Sequence, residues 1–234
     1  SDSFYNGYTY LDTLNPEAVQ RFIEITYEPY LKHLGDEFGE TIPGVFTDEP
    51  NRGHLLGKWK QWENDYQIPW TQNFLEEFHE RLDYSLLERL PEVFFNNQNQ
   101  DYSEVRADVV EVINQLFVEA FAVQVGNWCE NHDLKLTGHI LQENTLGNQL
   151  ATSGSQARFY KHMQVPGMDI LSKQVNYNVP KQVQSVTRQY GKKWALSEMY
   201  ALHGWDYSLE GFKNYGDWQA VLGINMRCPH LSLY

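Results

Sequence analysis

Residues 44 to 50 read GVFTDEP, an apolar run that ends abruptly on two adjacent carboxylates, Asp48 and Glu49. Val45 and Phe46 favour a buried β-strand, and Pro50 has no backbone N–H with which to continue the strand. In barrel enzymes the carboxyl ends of parallel strands carry the chemistry. The stretch therefore predicts a buried strand that ends on functional side chains.

The rest of the chain alternates between helical and strand patterns. Asn15, Pro16 and Glu17 form a helix start, with a cap residue, a proline in the first turn and an acid near the positive end of the helix. Apolar periodicity predicts further helices over about 69–90, 102–131, 155–163, 180–190 and 208–222. Four more strands are predicted at KLTGHIL (135–141), MDIL (168–171), WALSEM (194–199) and INMRCPHLSLY (224–234).

This alternation indicates an α/β fold with a parallel sheet covered by helices. Doubly wound sheets and (β/α)8 barrels both fit it. No strand leads into a glycine-rich phosphate loop, and polar residues end the strands, which together favour a barrel. Because five strands cannot close a barrel of eight, we expect residues 1–234 to be the second part of a TIM-type barrel. In that reading they form a partial catalytic domain of a longer chain, whose first strands lie upstream.

Composition narrows the possible partners. The chain has 31 acidic and 18 basic residues, a formal net charge of -13, so it offers no basic surface for nucleic acid or anionic lipid. No stretch approaches 18 consecutive apolar residues, which argues against a membrane span. Cys129 and Cys228 match no zinc or redox spacing and are expected to be free thiols. The chain also lacks the H-E-x-x-H and G-x-S-x-G motifs of zinc proteases and of serine hydrolases.

Three glutamates are candidate catalytic residues. Glu49 and Glu198 each end an apolar strand, and cleavage of a glycosidic bond requires such a pair of carboxyl groups. One group protonates the leaving oxygen, and the other attacks the sugar or activates a water molecule. Glu143 lies just beyond its strand and competes for the role of base, although it also fits a solvated loop residue.

Aromatic and polar side chains near the same strand ends are candidate sugar contacts. Trp and Tyr rings stack on the C–H faces of sugars and add a polar handle. Trp59, Trp62 and Trp70 cluster after the first carboxylate strand, although ordinary packing explains any one of them equally well. The predicted substrate-binding residues are Asp48, His139, Asn144, Tyr200, Trp205 and His230.

A family resemblance is carried by FTDEP, by LTGHILQENT, and by the C-terminal stretch from KKWALSEMY through GDWQAVLGIN to the terminus. These stretches resemble the catalytic barrel of bacterial α-L-rhamnosidase-like glycoside hydrolases of family 106 and, more distantly, retaining β-galactosidase-type barrels. The galactosidase-type resemblance implies that the strands GVFTDE, WALSEM and INMRCPHLSLY are the fourth, seventh and eighth of the barrel. It also implies Glu49 as acid/base and Glu198 as nucleophile. Asp48 stands where that pattern has Asn, which leaves a retaining mechanism open.

The rhamnosidase-like resemblance implies an inverting mechanism assisted by calcium, the one cofactor we expect, and it keeps Glu143 as a candidate base. The expected substrate is a carbohydrate, an α-L-rhamnoside or a similar side chain of a plant or bacterial polysaccharide. The expected protein partners are the remaining barrel strands and accessory domains of the longer chain. Two alternatives stay open: a non-catalytic carbohydrate-binding barrel, and a fragment without activity of its own.

Overall fold

The computed structural model describes residues 5–55, 67–95, 103–171 and 176–231. The described residues form nine α-helices and five β-strands. The strands are β1 Gly44–Asp48, β2 Lys135–His139, β3 Val165–Asp169, β4 Leu196–Met199 and β5 Met226–Pro229. The helices are α1 Pro16–Leu34, α2 Phe74–Leu82, α3 Leu86–Phe94, α4 Glu104–Phe117, α5 Gln124–Asn131, α6 Leu146–Thr152, α7 Gln156–Tyr160, α8 Asn178–Gln189 and α9 Leu209–Val221.

The five strands form one parallel sheet in the order β1-β2-β3-β4-β5. The sheet is strongly curved. Cα atoms of β2 and β4 approach within 8 Å of each other, although β3 lies between the two strands. In a flat sheet strands two places apart lie about 9.5 Å from each other. Five parallel strands that alternate with helices and curl in this way confirm the predicted fold class, part of a (β/α)8 barrel.

The two faces of the sheet differ in burial. Leu136, Met168 and Met199 are fully buried on the face that the helices cover. Phe46 and Met226 point to the other, concave face. Each lies two residues along its strand from a residue of that face, Asp48 for Phe46 and Cys228 for Met226, and side chains two residues apart in a strand point to the same face. Both remain partly exposed. The concave face therefore carries apolar side chains at positions before the carboxyl ends of the strands, and the described residues cover it only in part.

Glycine allows β1 and β2 to pair closely. Gly138 has a φ of 115°, a conformation that side chains rarely adopt, and a Cβ atom there would lie 1.9 Å from the carbonyl oxygen of Thr47. Asp48 is paired with His139 in the same register. The glycine therefore lets the ends of these two strands, with their polar side chains, approach each other.

The longest helical segment runs from Glu104 to Asn131 and joins α4 to α5 through a π-helical turn at Val118–Val123. Among the described residues it alone is long and apolar enough to cross a membrane by length and composition. Most of its apolar window is buried inside the structure. Core packing therefore accounts for its apolar character.

The structure corrects several predicted boundaries. The helix predicted over 69–90 is two helices, because Asp83 ends α2 in a left-handed conformation. The strand predicted at 168–171 begins three residues earlier, at Val165. Helix α6 was not predicted; its apolar residues Leu146 and Leu150 are exposed and give no core-facing pattern.

Candidate active site at the carboxyl ends of the strands

The predicted polar residues of β1, β2 and β4 meet at one end of the sheet. The His139 Nε2 atom lies 2.7 Å from Oε2 of Glu198 and 3.6 Å from Oδ1 of Asp48. The contact with Glu198 crosses β3, which the curvature of the sheet makes possible. Glu49 directly follows β1, and its backbone N–H donates to the His139 carbonyl. We call the set of Asp48, Glu49, His139, Asp169 and Glu198 the rim cluster.

His139 and Glu198 form a charge-assisted pair. The hydrogen bond from His139 lowers the pKa of Glu198, although partial burial acts in the opposite direction. Burial lowers the pKa of His139, but the hydrogen bond to Glu198 and the nearby charges of Asp169 and Glu198 outweigh it, and the net shift is upward. The contact therefore favours the ionised form of Glu198 and the protonated form of His139.

Glu49 has the opposite electrostatic character. Burial raises its pKa, the charge of His139 opposes the rise, and the charges of Asp169, Asp48 and Glu198 add to it. Its φ of 48° is left-handed, a conformation that costs energy for a residue with a side chain. Strained residues of this kind are concentrated at active sites. Because its pKa is raised, Glu49 holds a proton more readily than an ordinary glutamate.

Asp169 belongs to the rim cluster but was not among the predicted site residues. It ends β3 and pairs in register with Glu198. Single ligand atoms of Glu49, His139 and Asp169 all lie within 4.8 Å of one another. Burial raises the pKa of Asp169 against the opposing charge of His139, and its Oδ1 atom is buried without a hydrogen-bond partner among the described residues. The sequence places Asp169 among the polar residues near the strand ends, but the predicted strand continued two residues beyond it and no role in the site was assigned to it.

Glu143 lies behind the rim cluster and is only 2% exposed. Its Oε2 atom accepts hydrogen bonds from Gln156 Nε2 at 2.9 Å and Tyr160 Oη at 3.0 Å. Its Oε1 atom accepts a hydrogen bond from the backbone N–H of Asp169. Burial raises the pKa of Glu143 to about 8, against the effects of His139 and of the donors. Its role as a base stays a prediction, and the described residues enclose its carboxyl group.

The remaining predicted contacts differ in position. The Nε2 atom of His230 lies 3.9 Å from Oε1 of Glu198, at the edge of the rim cluster. Asn144 is half-buried, and its carbonyl accepts a hydrogen bond from Asn176. Tyr200 packs its ring against Phe212 of α9, with centroids 5.4 Å apart.

Trp205 is fully exposed. Trp70 packs against Phe74 of α2, with ring centroids 4.7 Å apart. Trp59 and Trp62 lie outside the described residues. The sugar-contact roles of these aromatic residues stay predictions.

The calcium ion that the sequence resemblance implies stays a prediction, for which the carboxylates of the rim cluster, but not its imidazole, are suitable ligands. Ligand atoms of Asp48, His139 and Glu198 lie within 4.8 Å of one another, as do those of Glu49, His139 and Asp169. Calcium prefers carboxylate and other oxygen ligands, whereas imidazole suits transition metals. The buried, unpartnered Oδ1 atom of Asp169 is an oxygen of the required kind. The carboxylates would hold such an ion, and His139 would not.

Comparison with known proteins supports the fold. The architecture is that of a (β/α)-barrel segment with a carboxylate-rich rim. A solved structure described as a rhamnosidase from Novosphingobium sp. PP1Y superposes with a TM-score of 0.73 at 18% sequence identity, over 95% of this chain and 21% of that one. The chain thus spans about a fifth of the length of that protein. No family model matches the sequence, and a search of curated proteins found no match.

Proposed function

We propose that the chain carries the catalytic carboxylates of a glycoside hydrolase, with Glu49 as general acid and Glu198 as base or nucleophile. One observation carries this proposal: the two glutamates lie at the same rim, and their pKa values are shifted in opposite directions. Acid and base roles in one site require carboxyl groups whose environments separate their pKa values in this way. The similarity to a structure described as a rhamnosidase supports the proposal at the level of the fold.

The proposed chemistry uses a protonated Glu49 and an ionised Glu198. Glu49 gives its proton to the glycosidic oxygen as the bond from that oxygen to the anomeric carbon breaks. The ionised Glu198 either attacks the anomeric carbon or takes a proton from the attacking water. His139 holds the Glu198 carboxylate by its Nε2 hydrogen bond. We assign His139 a positioning role, because it fixes the group that acts.

The proposed substrate is an α-L-rhamnoside or a related polysaccharide side chain. Asp48, Asn144 and His230 would bond sugar hydroxyls, and Tyr200 and Trp205 would offer ring faces. If calcium binds the rim carboxylates, it would supply positive charge that orients sugar hydroxyls.

We further propose that this chain works with additional barrel strands in a longer protein. Phe46 and Met226 are 36% and 40% exposed on the concave face, where a complete barrel would be filled by side chains. In the described residues β1 pairs only with β2, and β5 only with β4. Both edges are therefore available for strands from the remainder of a barrel.

The test is hydrolysis of aryl α-L-rhamnosides, and then of other aryl glycosides, by the intact protein that contains this chain. We expect Glu198→Gln to lower kcat by about 10²- to 10⁴-fold on every substrate. Glu49→Gln should lower kcat far more for a glycoside with a phenyl leaving group than for one with a dinitrophenyl leaving group. A good leaving group such as dinitrophenolate needs little protonation. Glu40→Gln is the matched control, an exposed glutamate before β1 at the other end of the sheet.

Binding separates a hydrolase from a carbohydrate-binding barrel. In a hydrolase both glutamine variants keep their affinity for the sugar, measured by titration calorimetry, while turnover falls. If the wild-type protein binds the sugar but neither variant changes a rate above background, the protein is a binder and the assignment of the two glutamates is wrong.

A further inference from the structure

One buried carboxyl group connects three elements behind the rim cluster. Glu143 lies in the turn after β2, and its donors Gln156 and Tyr160 belong to α7. Its third donor is the backbone N–H of Asp169 at the end of β3. Gln156 and Tyr160 are both fully buried. A buried carboxyl group that accepts hydrogen bonds from both elements fixes their relative position.

The two oxygens of Glu143 have separate tasks. Oε2 faces the side chains of α7, and Tyr160 in turn accepts a hydrogen bond from the N–H of Ile140, directly after β2. Oε1 faces only the Asp169 N–H among the described residues. The contact with Asp169 therefore needs one acceptor oxygen and no charge.

Asp169 has an acceptor atom directed to no protein donor. Its Oδ1 atom is buried without a partner among the described residues, and a buried acceptor without a hydrogen bond is unfavourable. The residue lies beside Glu198 in register and within 4.8 Å of ligand atoms of Glu49 and His139. A sugar hydroxyl would donate to it at the centre of the proposed site.

We infer that Glu143 is a positioning residue that fixes the end of β3, so that the Asp169 carboxylate accepts a hydrogen bond from a hydroxyl group of the substrate. The positioning role follows from contacts within the protein. The role of Asp169 toward substrate rests on the proposed function. The two parts therefore have separate tests.

Amide hydrogen exchange tests the positioning role without any substrate. Glu143→Gln keeps an oxygen for the Asp169 N–H, whereas Glu143→Met removes it. We expect exchange of the Asp169 amide to rise at least about tenfold in the Met variant and to stay near the wild-type rate in the Gln variant. Tyr160→Phe is the matched control, since it removes a donor to Oε2 and leaves Oε1 in place. Equal acceleration in all three variants, or none in the Met variant, overturns the positioning role.

Kinetics on the aryl glycoside test the role in the site. A catalytic base cannot be replaced by an amide, so Glu143→Gln would lose about 10²- to 10⁴-fold in kcat if Glu143 were the base. A positioning acceptor predicts less than about tenfold loss in the Gln variant and a larger loss in the Met variant. Asp169→Asn should lower kcat/KM by about 10- to 100-fold; an unchanged value contradicts its contact with substrate. If the wild-type protein hydrolyses no glycoside, the proposed function and the role of Asp169 toward substrate fail together. The positioning role of Glu143 is then tested by amide hydrogen exchange alone.

Discussion

Replacement of Glu143 by Gln should change how the stability of the protein depends on pH. Burial raises the pKa of Glu143 from 4.5 to about 8 in the folded protein. Between these values the folded state keeps a proton that the unfolded state has lost, so folding becomes less favourable as pH rises. The full shift corresponds to at most about 5 kcal/mol of unfolding free energy. The amide side chain of the variant does not titrate, so the variant escapes this loss.

The assay is urea unfolding of the wild-type protein and of the Glu143→Gln variant at pH 5, 6.5 and 8.5, in the presence of EDTA to exclude divalent cations. Groups that titrate equally in both proteins cancel in the difference between their unfolding free energies. We expect that difference to move in favour of Glu143→Gln by several kcal/mol between pH 5 and 8.5, and to change little above that range. Parallel curves across the whole range would show that burial does not make Glu143 retain its proton.

Three further predictions concern stability and assembly. Gly138→Ala should lower the unfolding free energy by about 3 kcal/mol or more, measured by urea titration, because its Cβ would meet the Thr47 carbonyl; an unchanged midpoint would contradict the close pairing of β1 and β2. Asn15→Ala should cost about 1 kcal/mol and Asn15→Ser almost nothing, because the Asn15 side chain accepts from two N–H groups at the start of α1; equal values would show that the cap is unimportant. The isolated 234-residue chain should elute as oligomer or aggregate in size-exclusion chromatography with light scattering, because β1 and β5 present open edges; a monodisperse monomer with a cooperative melt would refute this.

Local signals in the sequence were sufficient for most of the fold. The cap at Asn15 correctly placed the start of α1, and the apolar runs located all five strands of the sheet. Parallel order followed from the alternation of helices and strands, because a parallel pair needs a long crossover connection. These features depend on neighbouring residues and on chain direction, which a single sequence contains.

The candidate site was only partly predictable. Glu49 and Glu198 were identified because each directly ends or follows an apolar strand. Asp169 was recognised as a polar residue near a strand end but was given no role, and its exact position was wrong because Pro166 and Gly167 weaken the strand signal at the start of β3 and shifted the predicted strand toward the C-terminus. The enclosure of Glu143 depends on Gln156 and Tyr160, which lie on a short helix that periodicity does not orient. Such contacts depend on tertiary packing and leave no local pattern.

The π-helical turn at Val118–Val123 takes up one residue more than an α-helical turn would. Each residue of an α-helix turns the chain by about 100°. Deleting one residue from α4 or α5 would therefore rotate the two helices by about that angle relative to each other, and buried residues such as Val125 and Cys129 would leave the core. Deleting one residue from the π-helical turn would instead leave a continuous α-helix, with Val125 and Cys129 still facing the core. A one-residue gap between related sequences is therefore expected at this turn and not in the helices on either side of it.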